Sequence, residues 1–254
     1  ETGMHLPDKQ KENHLYSKIW LDAPTKDSSE EYILKYLKYN HNRIHILYAY
    51  NILRSMKLSP DSVIAELGCN GYLSLSLFKK LGLTKIIVAD HDKSILDEIE
   101  NYTEYPYEIY NIEFNNPLPL KDESVDLVNT LEVIEHIVKA EDYLKEIHRA
   151  LKKGGHLLIS TPNHAFYISR WRALKGGRLG KEGTHYRFFT KDHFEKILND
   201  SGFQIVKRNS EGHIPFVDME PWRIIFKRKR IQHHIPEFLE ALFAIHFIWL
   251  CKKI

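Results

Sequence analysis

From residue 63 to residue 160 the chain alternates between short apolar runs and stretches whose apolar residues fall three and four apart. Continuous apolar runs suit strands buried on both faces, and the longer spacing suits helices with one buried face. The spacing predicts strand over Val63 to Leu67, helix over Leu73 to Leu81, strand over Lys85 to Ala89 and helix over Lys93 to Glu100. It continues with strands over Tyr107 to Ile112 and Val125 to Thr130, a helix over Glu141 to Leu151 stopped by Gly154-Gly155, and a strand over His156 to Ser160. Strands joined through helices run parallel and need cover on both faces, so the chain is an α/β protein.

The flanks are less regular. Apolar spacing from Tyr32 through Met56 predicts one or two helices, followed by a loop at Ser59-Pro60-Asp61. After Ser160 comes an irregular stretch from Pro162 to Tyr186 that contains Gly176, Gly177, Gly180 and Gly183. A helix over Lys191 to Asp200 and a strand over Phe203 to Arg208 are expected next, then a second irregular stretch from Asn209 to about Pro236. The run from Leu242 to Cys251 is about half the ~20 residues a membrane helix needs, and it contains His246. We read Ala244 to Cys251 as a buried strand rather than an anchor. It completes a seven-stranded, mostly parallel sheet with the last strand antiparallel, helices on both faces and lid insertions.

A chain of 254 residues, 43% of them hydrophobic, can bury one sizeable core. We read residues 1–57 as an expression-tag remnant (Glu1-Thr2-Gly3 ahead of Met4) and a helical cap, and residues 58–254 as the core, with lid insertions at about 163–187 and 209–240. No basic, apolar leader opens the chain. Cys69 and Cys251 can form neither a disulfide framework nor a four-ligand zinc site, which suits a reducing, cytoplasmic setting. The net charge of +2 gives no global reason to bind nucleic acid or membrane, so any such reason must be local.

Ligands of open α/β sheets sit at the carboxyl ends of the strands. The turn in "IAELGCNGYLSLSLFKK" follows the first strand and belongs there. A dinucleotide fold would carry G-x-G-x-x-G, but Leu73 stands where the third glycine should be. The ligand therefore needs close backbone approach without a pyrophosphate, and a nucleoside with a cationic tail suits it. Glu66 can face an ammonium group, Gly68 lets the backbone come close, and Asn70 tolerates a left-handed conformation. Asp90 ends the second strand and can accept two ribose hydroxyls.

The segments "AELGCNGYLSLSLFKKLG", "IIVADHDKSIL", "NNPLPLKDESVDLVNTLEVIEHI" and "HRALKKGGHLLISTPN" occur in order, and "HYRFFTKDHFEKILNDSGF" follows. In these the chain resembles the class I S-adenosylmethionine-dependent methyltransferases, which have a Rossmann-like fold. The resemblance implies S-adenosylmethionine as cofactor. It places Glu66, Gly68, Cys69, Asn70 and Gly71 along the methionine and ribose end, Asp90 on the ribose and His91 beside the adenine. Asn111 and Ile112 fall in the adenine region, where the family often has an aspartate, and Leu131 falls at the cofactor end of the fourth strand.

Methyl transfer from a sulfonium needs chiefly that the acceptor atom be placed in line, and a hydroxyl acceptor gains from a base. "LEVIEHI" follows the fourth strand, so Glu132, Glu135 and His136 reach the cofactor end; if the stretch is helical, Glu132 and His136 share a face. His185, from the first insertion, can meet them. We assign His136, His185 and Glu132 as groups that act as base or orient the acceptor, and we assign no metal ligand. The same pattern resembles small-RNA 2'-O-methyltransferases, in which counterparts of Glu132, Glu135, His136 and His185 bind a metal.

The insertions are basic. Arg170, Arg172, Lys175, Arg178 and Lys181 surround Trp171 and Tyr167, while Arg223, Lys227, Arg228, Lys229 and Arg230 lie beside Trp222 and Phe226. Such clusters suit an anionic acceptor, whether a small molecule, a glycan or a lipid-linked precursor at a membrane surface, with RNA as the rival. A non-catalytic scaffold that keeps only the cofactor fold is a second rival.

Overall fold

The computed structural model describes residues 28–40, 43–69, 72–102, 108–177, 185–213 and 233–254. Asn70, Gly71, Arg178, Lys181, the segment 1–27 that includes the expected tag remnant, and the second basic cluster lie outside them. Two helices, α1 (Glu30–Tyr39) and α2 (Ile44–Met56), precede the alternating core. Ser29 caps α1 by accepting from the Tyr32 amide at 3.2 Å. The core runs β1 (Val63–Leu67), α3 (Tyr72–Lys80), β2 (Lys85–Asp90), α4 (Lys93–Tyr102), β3 (Glu108–Asn111) and β4 (Val125–Leu131). After a single 3₁₀ turn at Ile134–His136 come α5 (Ala140–Ala150), β5 (Leu151–Pro162), α6 (Tyr167–Leu174), α7 (Lys191–Asp200) and β6 (Phe203–Arg208). The chain closes with β7 (Glu211–Gly212), β8 (His233–His234), α8 (Glu240–Phe243) and β9 (Ala244–Lys253).

The seven long strands form the expected sheet. β3, β2, β1, β4 and β5 lie side by side and parallel, and β9 runs antiparallel between β5 and β6. The apolar run at 244–251 is thus a strand buried between two others. The two-residue strands β7 and β8 were not foreseen. β6 pairs the C-terminal half of β9, and β7 takes the same edge further back, opposite Ala244 and His246. Among the described residues no helix is long and apolar enough to cross a membrane.

One boundary differs from expectation. Helix α5 ends at Ala150, and the next strand begins at Leu151 rather than His156. Leu151 is already extended, and Gly154, at φ 73°, lets the strand irregularity beside Val125 pass without breaking the pairing. The glycines lie inside the strand.

Each face of the sheet carries its own core. Tyr143, Leu144, Ile147 and Ala150 of α5 recur on one side of the helix and pack with Phe194, Phe203, Phe247 and Trp249 on one face. On the other face, Ile33, Leu37, Ile46, Tyr50 and Leu53 of α1 and α2 join Ile64, Leu73, Phe78, Ile248 and Leu250. The N-terminal helices therefore complete the cover that a parallel sheet requires.

Candidate active site

Gly68 ends β1 with φ 77°, and its amide donates to Ala89 at 2.9 Å. A Cβ here would lie 2.2 Å from Cγ2 of Val133, so both backbone angle and space demand glycine. The Asp90 carboxylate ties this turn to β2: it accepts from the Cys69 amide at 2.6 Å and from the Asp92 amide at 2.8 Å. A carboxylate has about four acceptor sites; His91 Nδ1 also lies 3.1 Å from Asp90, so about one site is left for a ribose hydroxyl and a second hydroxyl would take the place of His91. Cys69 and Leu131 are buried beside these groups.

Glu66 is buried at the end of β1 and accepts from Asn129 of β4 at 2.6 Å. Burial outweighs that bond and pushes its carboxyl up to about 8. His91 projects outward with Nδ1 3.1 Å from Asp90, and this hydrogen bond raises its pKa. The Asn111 amide donates to the carbonyls of Asp90 and His91 at 3.2 and 3.0 Å, and Ile112 donates to Asp90 at 2.9 Å. Asn111 thus shapes the turn that carries His91. Eight of the ten expected cofactor positions are described, and all eight gather at the carboxyl ends of β1 to β4.

Across β4 the expectation needs one correction. The stretch after Leu131 is not a helix that puts Glu132 and His136 on one face. Glu132 takes φ 58°, and only Ile134–His136 form a turn, so the two side chains part. Glu132 accepts from the Ser160 hydroxyl at 2.7 Å and lies 3.4 Å from Nε2 of His246. His136 instead meets His185, with ring centroids 4.7 Å apart and nearly perpendicular. The Glu135 carbonyl accepts from the Tyr186 and Arg187 amides at 2.8 and 3.0 Å, which brings His185 to this place.

Glu135 is buried below the pair and accepts from Thr161 at 3.2 Å; burial, then the charge of Glu132, drives its pKa well up. One ligand atom each from Glu135, His136 and His185 lie within 4.8 Å of one another. His164, on the loop after β5, approaches His185 at 3.4 Å through Nε2. Sequence reasoning missed His164, His246, Glu211 and His45. His246 opposes Pro162 in the β5–β9 register and Glu211 in the β7–β9 register, and its Nδ1 pairs with the buried Glu211 carboxylate. Although burial opposes it, the charges of Glu132 and Glu211 hold the His246 imidazole up at about 9. His45 of α2 packs on that ring at 5.6 Å. A histidine interrupting an apolar strand close to its buried end was the available signal.

Residues 39–208 match the methyltransferase domain family. A ubiquinone biosynthesis O-methyltransferase of Bradyrhizobium diazoefficiens is 26% identical over 65% of this chain and 68% of its own length. Its mitochondrial namesake in Dictyostelium discoideum is 30% identical over 56% of this chain, which spans 45% of that relative's length. An S-adenosylmethionine-dependent methyltransferase of Archaeoglobus fulgidus has the same fold at 18% identity, covering 82% of this chain and 94% of its own, with a TM-score of 0.57. Another, from Aquifex aeolicus, covers 89% of this chain and all of its own at 13% identity and a TM-score of 0.55. With 170 of its 254 residues matched (39 through 208), the chain belongs to the methyltransferase domain family and has the class I Rossmann-like fold, whose cofactor is S-adenosylmethionine.

Proposed function

We propose that the protein methylates a hydroxyl oxygen on a small-molecule, glycan or lipid-linked acceptor that carries negative charge. The observation that supports this most is the His136–His185 pair, set over a buried carboxyl at the end of β4, across that strand from the Gly68–Asp90 turn. Bound S-adenosylmethionine supplies an activated methyl group on a sulfonium, so the remaining work is to place the acceptor and receive its proton. The residues present fit that cofactor. The Gly68 turn has no room for a side chain, Glu66 is a buried carboxyl opposite no cation of the described chain, and Asp90 keeps about one acceptor site in reserve, or two if a hydroxyl replaces His91.

In this reading Glu66 faces the ammonium group and Asp90 the ribose, while His91, Asn111 and Ile112 border the adenine and Leu131 closes the floor. His136 or His185 accepts the hydroxyl proton as the oxygen–methyl bond forms. Glu132 orients the acceptor from the opposite side, held by Ser160 and His246. The hydroxyl acceptor is further supported by relatives named as O-methyltransferases. The charge of the acceptor rests on Arg170, Arg172 and Lys175 in the first insertion.

A second reading of the same site draws on the 4.8 Å grouping of Glu135, His136 and His185. These three would hold a divalent cation, which would lower the pKa of an acceptor hydroxyl, as in an RNA 2'-O-methyltransferase. The two readings part in a transfer assay with labelled methyl donor against phenolic, glycan and RNA acceptors, with and without chelator. The first predicts chelator-independent transfer that falls by roughly 10²- to 10⁴-fold in His136→Ala or His185→Ala while S-adenosylhomocysteine affinity stays unchanged. Wild-type transfer rates in both variants would overturn it.

A further inference from the structure

Helix α6 has no buried residue, which is unusual for a helix rooted in a globular core. Its root is firm. Asn163 donates to the carbonyls of Glu240 and Ala244 at 3.2 and 2.9 Å, and the Tyr167 ring packs on Phe243 at 5.7 Å, so α6 and α8 start from one platform. Beyond that root, Trp171 is 60% exposed and Leu174 81%, three residues apart on one side of the helix. Phe238 is 83% exposed in the turn before α8, and Leu242 of α8 is exposed as well. Arg170, Arg172 and Lys175 are interleaved with the apolar residues of α6, and from residue 164 to 181 there is no acidic residue.

We propose that α6, with the adjoining Phe238 and Leu242, docks on an anionic lipid surface. Charge complementarity selects the occupant: interleaved cations attract acidic headgroups, and tryptophan favours the headgroup level of a bilayer. The aliphatic members decide against RNA, because bases stack on aromatic rings and gain nothing from an exposed leucine. Lys175 stands 4.8 Å over the Trp171 ring, so a cation accompanies the exposed indole. Exposed Phe188 contacts His164, three residues before α6, at 4.7 Å, and His164 approaches His185 at 3.4 Å, so an aromatic border leads from the root of α6 to the histidine pair. A lipid-linked acceptor could pass along that border to the site.

The test is co-sedimentation of the full chain with vesicles of phosphatidylcholine alone and of phosphatidylcholine with phosphatidylglycerol, at low and high salt. Binding is expected to the anionic vesicles only and to weaken with salt. Arg172→Gln with Lys175→Gln should weaken it by about 25-fold, at roughly fivefold per cation near a charged membrane. Trp171→Ser with Leu174→Ser should weaken it comparably, with circular dichroism and S-adenosylhomocysteine binding unchanged in both double variants. No difference between vesicle types, or wild-type binding in both variants, overturns the proposal; so does binding of a short RNA, sensitive to these variants, without vesicle binding. Vesicle binding needs no methyl transfer, so this result and that of the transfer assay are read separately.

Discussion

Replacing Gly68 by alanine tests the geometry of the cofactor turn. Two costs add. An L-residue in the left-handed region costs roughly 1–2 kcal/mol, and the residue here has φ 77°. The new Cβ would stand 2.2 Å from Cγ2 of Val133, a contact that forces local repacking at about 1–3 kcal/mol. The sum, roughly 2–5 kcal/mol, is a large part of the about 5–15 kcal/mol that typically holds a domain folded, yet leaves a folded protein to study. Urea unfolding of Gly68→Ala, Val133→Ala and the double variant completes a cycle. The coupling should be about 1–3 kcal/mol, because Val133→Ala removes the clash and leaves the backbone cost. Calorimetry on the same proteins should show weaker S-adenosylhomocysteine binding in Gly68→Ala. Full additivity, or a Gly68→Ala cost below about 0.5 kcal/mol, would refute the reasoning.

Three further predictions concern two buried charges, Glu66 and His246. Burial raises the Glu66 pKa to about 8, above the ordinary 4.5, so the folded ligand-free protein holds this proton more tightly than the unfolded chain. That contribution is complete below pH 4.5 and is lost as pH rises through about 8; Glu66→Gln should flatten the corresponding fall in stability, and an unchanged pH profile would exclude the assignment. At pH 7 the same carboxyl should release a proton when ligand brings an ammonium group, visible as calorimetric heats that depend on the buffer. For His246, held at about 9 by Glu132 and Glu211 against burial, the stabilisation is present below pH 6.5 and is lost through about 9. Glu211→Gln should lower that pKa, read by NMR titration, and destabilise the protein at pH 7. A His246 signal that titrates as before would mean that Glu211 does not hold the charge.

The sequence and the structure agree where a cap, a turn residue and the apolar period point the same way. Period and turn residues predicted α7 and β6 to the residue, because Thr190 caps one and Gly202 separates the two. Gly68 and Asp90 were legible for the same reason: each sits at a strand end whose register follows from the strands alone. The start of β5 was misplaced because a glycine pair that reads as a stop is, in the sheet, an irregularity accommodated by Gly154. Glu132 was misread because nothing in "LEVIEHI" announces a left-handed residue. The Glu132–His246–Glu211 group comes together only through antiparallel pairing of β9 with β5 and β7, across more than eighty residues between Pro162 and His246, and local pattern carries no such information. His185 was found from its place in the insertion, but that it would sit over Glu135 rather than Glu132 depended on the Tyr186 and Arg187 amides reaching the Glu135 carbonyl.

In the proposed function the ends of β1 and β2 form a working cofactor pocket beside the histidine pair. Titrating the 254-residue chain with S-adenosylhomocysteine in a calorimeter tests it without knowledge of the acceptor. Saturable one-site binding, weakened about tenfold or more by Asp90→Ala through the loss of a hydrogen-bonded carboxylate, is the predicted result. No binding by protein that circular dichroism shows to be folded would contradict the claim and leave the fold as a scaffold without its cofactor.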